Sequence, residues 1–235
     1  MSYLILGSGG LGGALAHELA SRGEEWLLAG RQLPKGLDPA CYFPLQEVDP
    51  LSFDALFTLY DTATLPNVVI NTIGLLHDLS HMPERRVEEV TPQWLGESLQ
   101  ANAWPHLALG ASLSRLMTFE SRLWLCTLSD LAGSLDEAHR EPVRRYSYRM
   151  SKAALNMGSR ILAAEWAERF PGAGVITVHP GLMDTPMQQP FRQEIDPALL
   201  QDPALVAPLL LDLLASLNQA HSGRFVDLRG QPLPW

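Results

Sequence analysis

Tyr148 and Lys152 stand four apart in the segment Tyr148-Arg149-Met150-Ser151-Lys152. On a helix that spacing puts a phenol and an ammonium on one face. A phenol with a pKa of about 10 is a poor acid–base at neutral pH. A nearby lysine cation stabilises the phenolate and pulls that pKa down. A tyrosine tuned in this way protonates a carbonyl oxygen as hydride reaches the carbon, or takes the proton back in reverse. An incidental neighbour pair is the plain alternative. With five Tyr and two Lys in 235 residues, a YxxxK spacing arises by chance in about one such chain in twenty-five. Lysine is otherwise almost absent, with Lys35 and Lys152 the two lysines among 17 basic residues.

A second chemical feature is the run Gly7, Ser8, Gly9, Gly10, Leu11, Gly12, Gly13. Gly7, Gly9 and Gly12 have GxGxxG spacing. It follows an apolar run and opens a helical one. Glycine there gives a tight turn, backbone access to a pyrophosphate and close helix packing. The helix N-terminus adds free N–H groups and a positive dipole end. The next apolar run ends in Ala29-Gly30-Arg31. An NAD site usually has an acid there for the ribose hydroxyls. Arg31 instead offers a planar fork for a 2′-phosphate, so the sequence favours NADP over NAD. An ordinary surface arginine is the alternative.

These groups need elements to hold them. Tyr3–Leu6, Trp26–Ala29, Pro66–Asn71, Leu123–Leu128, Gly174–Val178 and Gly223–Leu228 read as short strands, apolar on both faces. Ala14–Ala20, Asp54–Tyr60, Gln93–Gln100, Pro105–Met117, Ser147–Phe170 and Pro203–Leu217 read as helices between them. Alternation of this kind predicts an α/β Rossmann fold, a doubly wound parallel sheet with helices on both faces. The chain has no repeat, linker or low-complexity tract, so residues 1–235 are expected to form one domain.

With these motifs in view, the chain resembles the short-chain dehydrogenases/reductases over essentially its whole length, and among them the C-factor-like or sniffer-like carbonyl reductases. Asn71-Thr72-Ile73-Gly74 is similar to the family's NNAG element, and Leu75-Leu76-His77 continues in the C-factor manner. Tyr148 to Asn156 is a close match to the catalytic helix. Pro180-Gly181-Leu182-Met183-Asp184-Thr185 resembles the element beside the nicotinamide, and Leu233-Pro234-Trp235 the subgroup's tail. The resemblance implies that Tyr148 is the acid–base, that Lys152 lowers its pKa and binds the nicotinamide ribose, and that Asn102 holds a water linking Lys152 to solvent. It implies a catalytic serine at the end of the fifth strand. Ser129 is the first candidate, with Asp130 falling where many members have a second serine, and Thr127 is the fallback. Expected cofactor contacts are Gly7, Ser8, Gly9, Gly10, Leu11, Gly12, Arg31, Asn71, Ile73, Gly74, Tyr148, Lys152, Pro180, Gly181, Met183 and Thr185. Asp49 is either an adenine contact or a helix N-cap. The glycine turn departs from the family's TGxxxGxG pattern: it lacks the threonine and is one residue shorter.

Composition narrows the rest. The net charge is −9 and the pI about 5.2, which argues against nucleic acid as a partner. Two cysteines, Cys41 and Cys126, make no disulfide scaffold and suit a reducing cytoplasm as buried apolar residues. No apolar run approaches a membrane span, and the first residues lack the pattern of a signal peptide. The histidines show no metal-ligand spacing, and His77 and His81 fall in an expected loop. The expected partner is a small carbonyl or alcohol substrate. The loop from Ser134 to Arg145 and a lid from Met187 to Pro203 are expected at its mouth. Apolar outward faces at Leu95–Met117 and Leu155–Trp166 predict a homodimer or homotetramer. Two other functions fit the same residues: an NADP-binding signalling or sensor protein of C-factor type with little turnover, and an extended-branch epimerase or dehydratase, disfavoured by the short segment after Pro180-Gly181.

Overall fold

The computed structural model describes residues 1–61, 63–136 and 144–235. The charged loop expected at the substrate mouth lies partly outside the described residues. The strands are β1 (Ser2–Leu6), β2 (Glu25–Gly30), β3 (Tyr42–Pro44), β4 (Val68–Asn71), β5 (Trp124–Leu128), β6 (Gly174–His179) and β7 (Arg224–Asp227). The helices are α1 (Gly10–Ser21), α2 (Pro50–Phe57), α3 (Pro92–Asn102), α4 (Trp104–Leu116), α5 (Tyr146–Arg169) and α6 (Pro203–Ala215).

The sheet runs β3-β2-β1-β4-β5-β6-β7, and every pairing is parallel. The order reverses at β1, so the crevice between the carboxyl ends of β1 and β4 is the switch point of a doubly wound sheet. Strand residues alternate between two cores, as a period of two requires. Tyr3, Ile5, Val68, Ile70, Cys126, Ile176 and Val178 pack under α1 and α6. Leu4, Leu6, Val69, Leu125 and Val175 pack under α2, α4 and α5. This two-sided burial is why the strands read as continuous apolar runs rather than alternating ones.

Helix starts follow local capping chemistry. The Asp202 side chain accepts the Ala204 N–H at 2.8 Å, ahead of Pro203. Thr91 accepts the Trp94 N–H at 3.1 Å, ahead of Pro92. Asp49 accepts the Ser52 N–H at 2.7 Å, which starts α2 four residues before the Asp54 expected from apolar spacing. Strand β3 was expected from the family resemblance but not located in the sequence, because three edge residues carry too little periodicity. Cys126 is buried as expected, while Cys41 is partly exposed and both thiols are free. Among the described residues no helix is long and apolar enough to cross a membrane.

Helix α5 is the longest element, with 24 residues, and Trp166 anchors it. That ring is fully buried, and its Nε1–H donates to Ser114 Oγ on α4 at 2.8 Å. Trp166→Ala is expected to cost about 3–5 kcal/mol, read by circular dichroism as a lower denaturant midpoint.

Candidate active site

The carboxyl edge of the sheet gathers the residues expected to act. Gly7 leaves β1 at φ +97°, where a Cβ would lie 2.5 Å from Thr72 Oγ1. Thr72, just past β4, donates its hydroxyl to Leu6 O at 2.8 Å and lies 3.1 Å from Gly7 O. It clamps the glycine turn to the fourth strand, a role not read from the sequence. A Cβ on Gly12 would lie 1.8 Å from Gly7 O, whereas one on Gly9 would meet nothing. The turn is therefore dense beneath and open above. No side chain caps the first turn of α1, so its N–H groups face that open side. The Leu11 side chain is buried in the core under α1 and α6, which leaves its backbone as the group available there.

Ser8 Oγ accepts the Gln32 N–H at 3.3 Å, and Gly30 lies close enough that a Cβ would be 2.6 Å from Ser8. That contact brings the exposed Arg31 beside the glycine turn. Thr185, at the end of the Pro180–Thr185 element, reaches the other side: a Cβ on Gly10 would lie 2.5 Å from its Cγ2. Gly181 has φ +81° and packs on Gln201. Gln201 holds the element through its backbone, its carbonyl taking the Asp184 N–H at 2.9 Å and its N–H going to Leu182 O at 2.9 Å. Met183 bridges to Gln201. Asn71 takes the Ile73 N–H on Oδ1 at 3.1 Å, and its buried Nδ2 has no partner. An unpartnered buried donor at this edge costs free energy unless a ligand meets it. Asp49 caps α2, as its helix-cap alternative requires. Its Oδ1 is engaged by Ser52, and that N–H and hydroxyl hold its carboxyl below the usual value.

The residues expected to do acid–base work lie further along the same edge. Asn102 ends α3, accepting the Leu75 N–H at 2.7 Å and donating to Leu75 O at 2.8 Å and to Ser151 Oγ at 2.9 Å. A Cβ on Gly74 would stand 3.2 Å from Asn102 Oδ1 and 3.5 Å from Lys152 Nζ, so Asn102, Gly74 and Lys152 meet at one point. Lys152 Nζ donates to Leu128 O at 3.2 Å. Tyr148 is buried in a small apolar cluster with Leu76 and Phe191, and Ala132, Met187 and Ile195 pack against it. His77 Nε2 lies 3.2 Å from Met187 O, which ties the expected lid to the loop after β4.

Ser129, the expected serine, bonds elsewhere than to Tyr148. Its hydroxyl is buried and donates to Asn156 Oδ1 at 2.6 Å, away from Tyr148. Thr127 is fully buried, its hydroxyl 2.7 Å from His106 Nδ1. The side chain that meets Tyr148 is Asp130, whose Oδ2 accepts the phenol at 2.9 Å. The cause is the extended backbone at the end of β5, where Asp130 has φ −140° and ψ 143°. Successive side chains there point opposite ways, so Ser129 turns to α5's buried face and Asp130 to the pocket. The signal was the alignment itself, which put Asp130 in the second-serine place.

Electrostatics also departs from expectation. Burial, the Asp130 charge and the hydrogen bond to it push the Tyr148 phenol well above its ordinary value, with Arg145 opposing. Lys152 Nζ lies 5.8 Å from the Tyr148 ring centre and is bonded to Leu128 O. Burial lowers the Lys152 ammonium to about 8, with Asp130 opposing. Burial would raise the Asp130 carboxyl. His179, the Ala132 N–H, the Tyr148 hydroxyl and Lys152 outweigh that and hold it below its ordinary value.

The fold is that of the short-chain dehydrogenases/reductases, which extends the resemblance read from the sequence to the whole architecture. Carbonyl reductase Sniffer of Drosophila melanogaster superposes with a TM-score of 0.81 at 22% identity, over 100% of this chain and 99% of that one. An NADPH-bound carbonyl reductase from chicken fatty liver superposes with a TM-score of 0.79 at 20% identity, over 100% and 94%. C-signal of Myxococcus xanthus is 40% identical over 90 residues, which is 38% of this chain. The matched stretch spans about half the length of that curated relative, 49%. No family model matches the chain.

The glycine turn gives a direct test of the packing. Gly9→Ala is expected to unfold within about 1 kcal/mol of wild type, the scale of an ordinary surface change. Gly12→Ala is expected to lose at least about 1–3 kcal/mol by overpacking. Thermal melts of the two variants side by side check this.

Proposed function

We propose that this chain is an NADP(H)-dependent oxidoreductase acting on a carbonyl or alcohol carbon, with Tyr148 as its acid–base. The observation that carries the reading is the meeting of Lys152 and Asn102 at Gly74, with the Tyr148 ring centre 5.8 Å from Lys152 Nζ, on the sheet edge that also holds an uncapped glycine turn. The residues present suit a dinucleotide. The open N-terminus of α1 receives a pyrophosphate, and Arg31 beside Ser8 receives a 2′-phosphate. The unpartnered Asn71 Nδ2 and the Pro180–Thr185 element border the path towards Lys152. The nicotinamide, when bound, supplies or accepts hydride at the substrate carbon.

The protein's own part is binding, orientation and proton movement. The apolar group of Leu76, Phe191 and Met187 excludes water from Tyr148 and accepts an uncharged substrate body. Tyr148 exchanges a proton with the substrate oxygen. Lys152 supplies a compact cation beside the cofactor ribose, and Asn102 fixes the loop at Leu75 that borders it. The two free cysteines suit the cytoplasmic location expected from the sequence.

A specific observation favours the second reading, an NADP-binding signalling or sensor protein with little turnover. Burial raises the Tyr148 pKa, and Asp130, which occupies its hydroxyl, raises it further, which opposes acid–base work at neutral pH. The partial match to C-signal points the same way. Mixing the protein with NADPH and a panel of aldehydes, ketones and quinones separates the two. Turnover that Tyr148→Phe lowers by about 10²–10⁴-fold supports the enzyme. NADPH binding without turnover on the whole panel supports the sensor. Arg31→Ala is expected to weaken NADPH by about tenfold, the scale of a charge-assisted hydrogen bond, and to leave NADH unchanged, measured by nucleotide fluorescence.

We also infer a homo-oligomer. Met150, Met157 and Ile161 on α5, and Trp104 and Leu107 on α4, are exposed, and these two helices are neighbours through Leu107 and Gly158. Size exclusion with light scattering is expected to give a dimer or tetramer, and a monomer overturns the inference.

A further inference from the structure

The hydrogen bond between Tyr148 and Asp130 has a direction. An ionised carboxylate only accepts, so the single phenolic proton is given to Asp130 Oδ2 at 2.9 Å. Tyr148 Oη then presents only lone pairs to a substrate. A lone pair receives an alcohol's proton but has none to give to a carbonyl oxygen. A neutral serine in this place leaves the phenolic proton free, and Asp130 does not.

The geometry points to Asp130 as the far end of the proton path: Tyr148 passes its proton to Asp130 as it takes one from an alcohol, and in carbonyl reduction it hands on a proton that Asp130 must first hold. This rests on the reading of Tyr148 as the acid–base of hydride transfer. In oxidation the substrate C–H bond breaks and its electron pair leaves as hydride to the oxidised nicotinamide. The substrate O–H proton bonds to Tyr148 Oη, and the former phenolic proton bonds to Asp130 Oδ2. The electrons of the broken O–H bond complete the carbonyl. Reduction runs each step backwards and begins with protonated Asp130. Asp130 acts through Tyr148 and is a positioning residue for the proton.

The surroundings of Asp130 fit this task. From its own turn the Ala132 N–H donates to Oδ1 at 2.9 Å. From β6, His179 Nδ1 is buried without a hydrogen bond, 3.9 Å from Oδ1. From α5 come the Tyr148 hydroxyl and the charge of Lys152, with Arg145 acting on Tyr148 from the helix start. The cations among these favour the ionised carboxylate, so the acid form is scarce at neutral pH. Reduction therefore falls as pH rises through the acidic range, and oxidation gains over the same range.

Asp130→Ser and Asp130→Asn test this. The Asn variant keeps an oxygen for the Ala132 N–H, so the local turn is preserved if the Ser variant fails to fold. The first readout needs no cofactor: near-ultraviolet tyrosinate absorbance during a pH titration, each protein measured against its own Tyr148→Phe version. The Tyr148 phenolate is expected to form at lower pH in both variants than in wild type. The second readout is the pH profile of NADPH-dependent reduction of an aromatic aldehyde and of NADP⁺-dependent oxidation of its alcohol. Reduction at neutral pH is expected to rise at least about tenfold in the variants and lose its acidic limb, and oxidation to fall about tenfold. An unchanged tyrosinate titration overturns the coupling. A shifted titration with unchanged pH profiles overturns the proton path alone. A shifted titration with NADPH binding but no turnover by any of the proteins overturns the hydride-transfer reading, and the proton path falls with it.

Discussion

The parallel backbone ladder is the constraint on which everything else depends. Its register pairs Leu6 with Ala29 and with Asn71, Asn71 with Thr127, and Leu128 with Val178. Each strand therefore ends at the same height. The residues that follow, Gly7, Gly30, Thr72, Ser129 and Asp130, fall along one edge because the hydrogen bonds leave no other arrangement. A one-residue slip in any strand would send its side chains to the opposite face. The two apolar cores, which fill opposite faces with alternate residues, hold that register fixed.

Close approach is the second principle of the site. The glycine turn, Thr72 and Ser8 leave no room for a Cβ at Gly7, Gly12 or Gly30. That density holds the first turn of α1 in place while its N–H groups stay open. At Gly74 the missing side chain lets Asn102 and Lys152 come together. Helix α5 brings Tyr148 and Lys152 as a rigid unit, and its start is fixed by Glu84. That buried carboxylate accepts the Ser147 N–H and hydroxyl.

A carboxylate in a low-dielectric pocket alters its neighbours more than a serine would. Burial raises the phenol that Lys152 was expected to lower, and the Asp130 charge and its direct hydrogen bond at 2.9 Å add to that shift. The same carboxylate counters the burial that draws Lys152 down to about 8. Asp130 thus acts on both Tyr148 and Lys152, and its own protonation depends on both of them.

The sequence by itself determined the layered fold and most of the site. Apolar runs buried on both faces require helices on both sides of a sheet, and Tyr148 with Lys152 needs only the helical repeat to share a face. Gly7 and Gly12 were legible because a backbone with no room for a Cβ demands glycine, and Gly9 through its spacing in the same turn. Strand β3 escaped because three residues hold less than two periods, and α2's start because Asp49 fitted two roles equally. The tertiary structure alone showed that the side chain bonded to the Tyr148 hydroxyl is Asp130 rather than the expected Ser129. Alignment placed both at the end of β5, but the pleat sends one hydroxyl to Asn156 and the neighbouring carboxylate to Tyr148. It also decided the sign of the phenol's shift, since a pKa depends on distances between α5, β5 and β6 that no spacing within one segment contains.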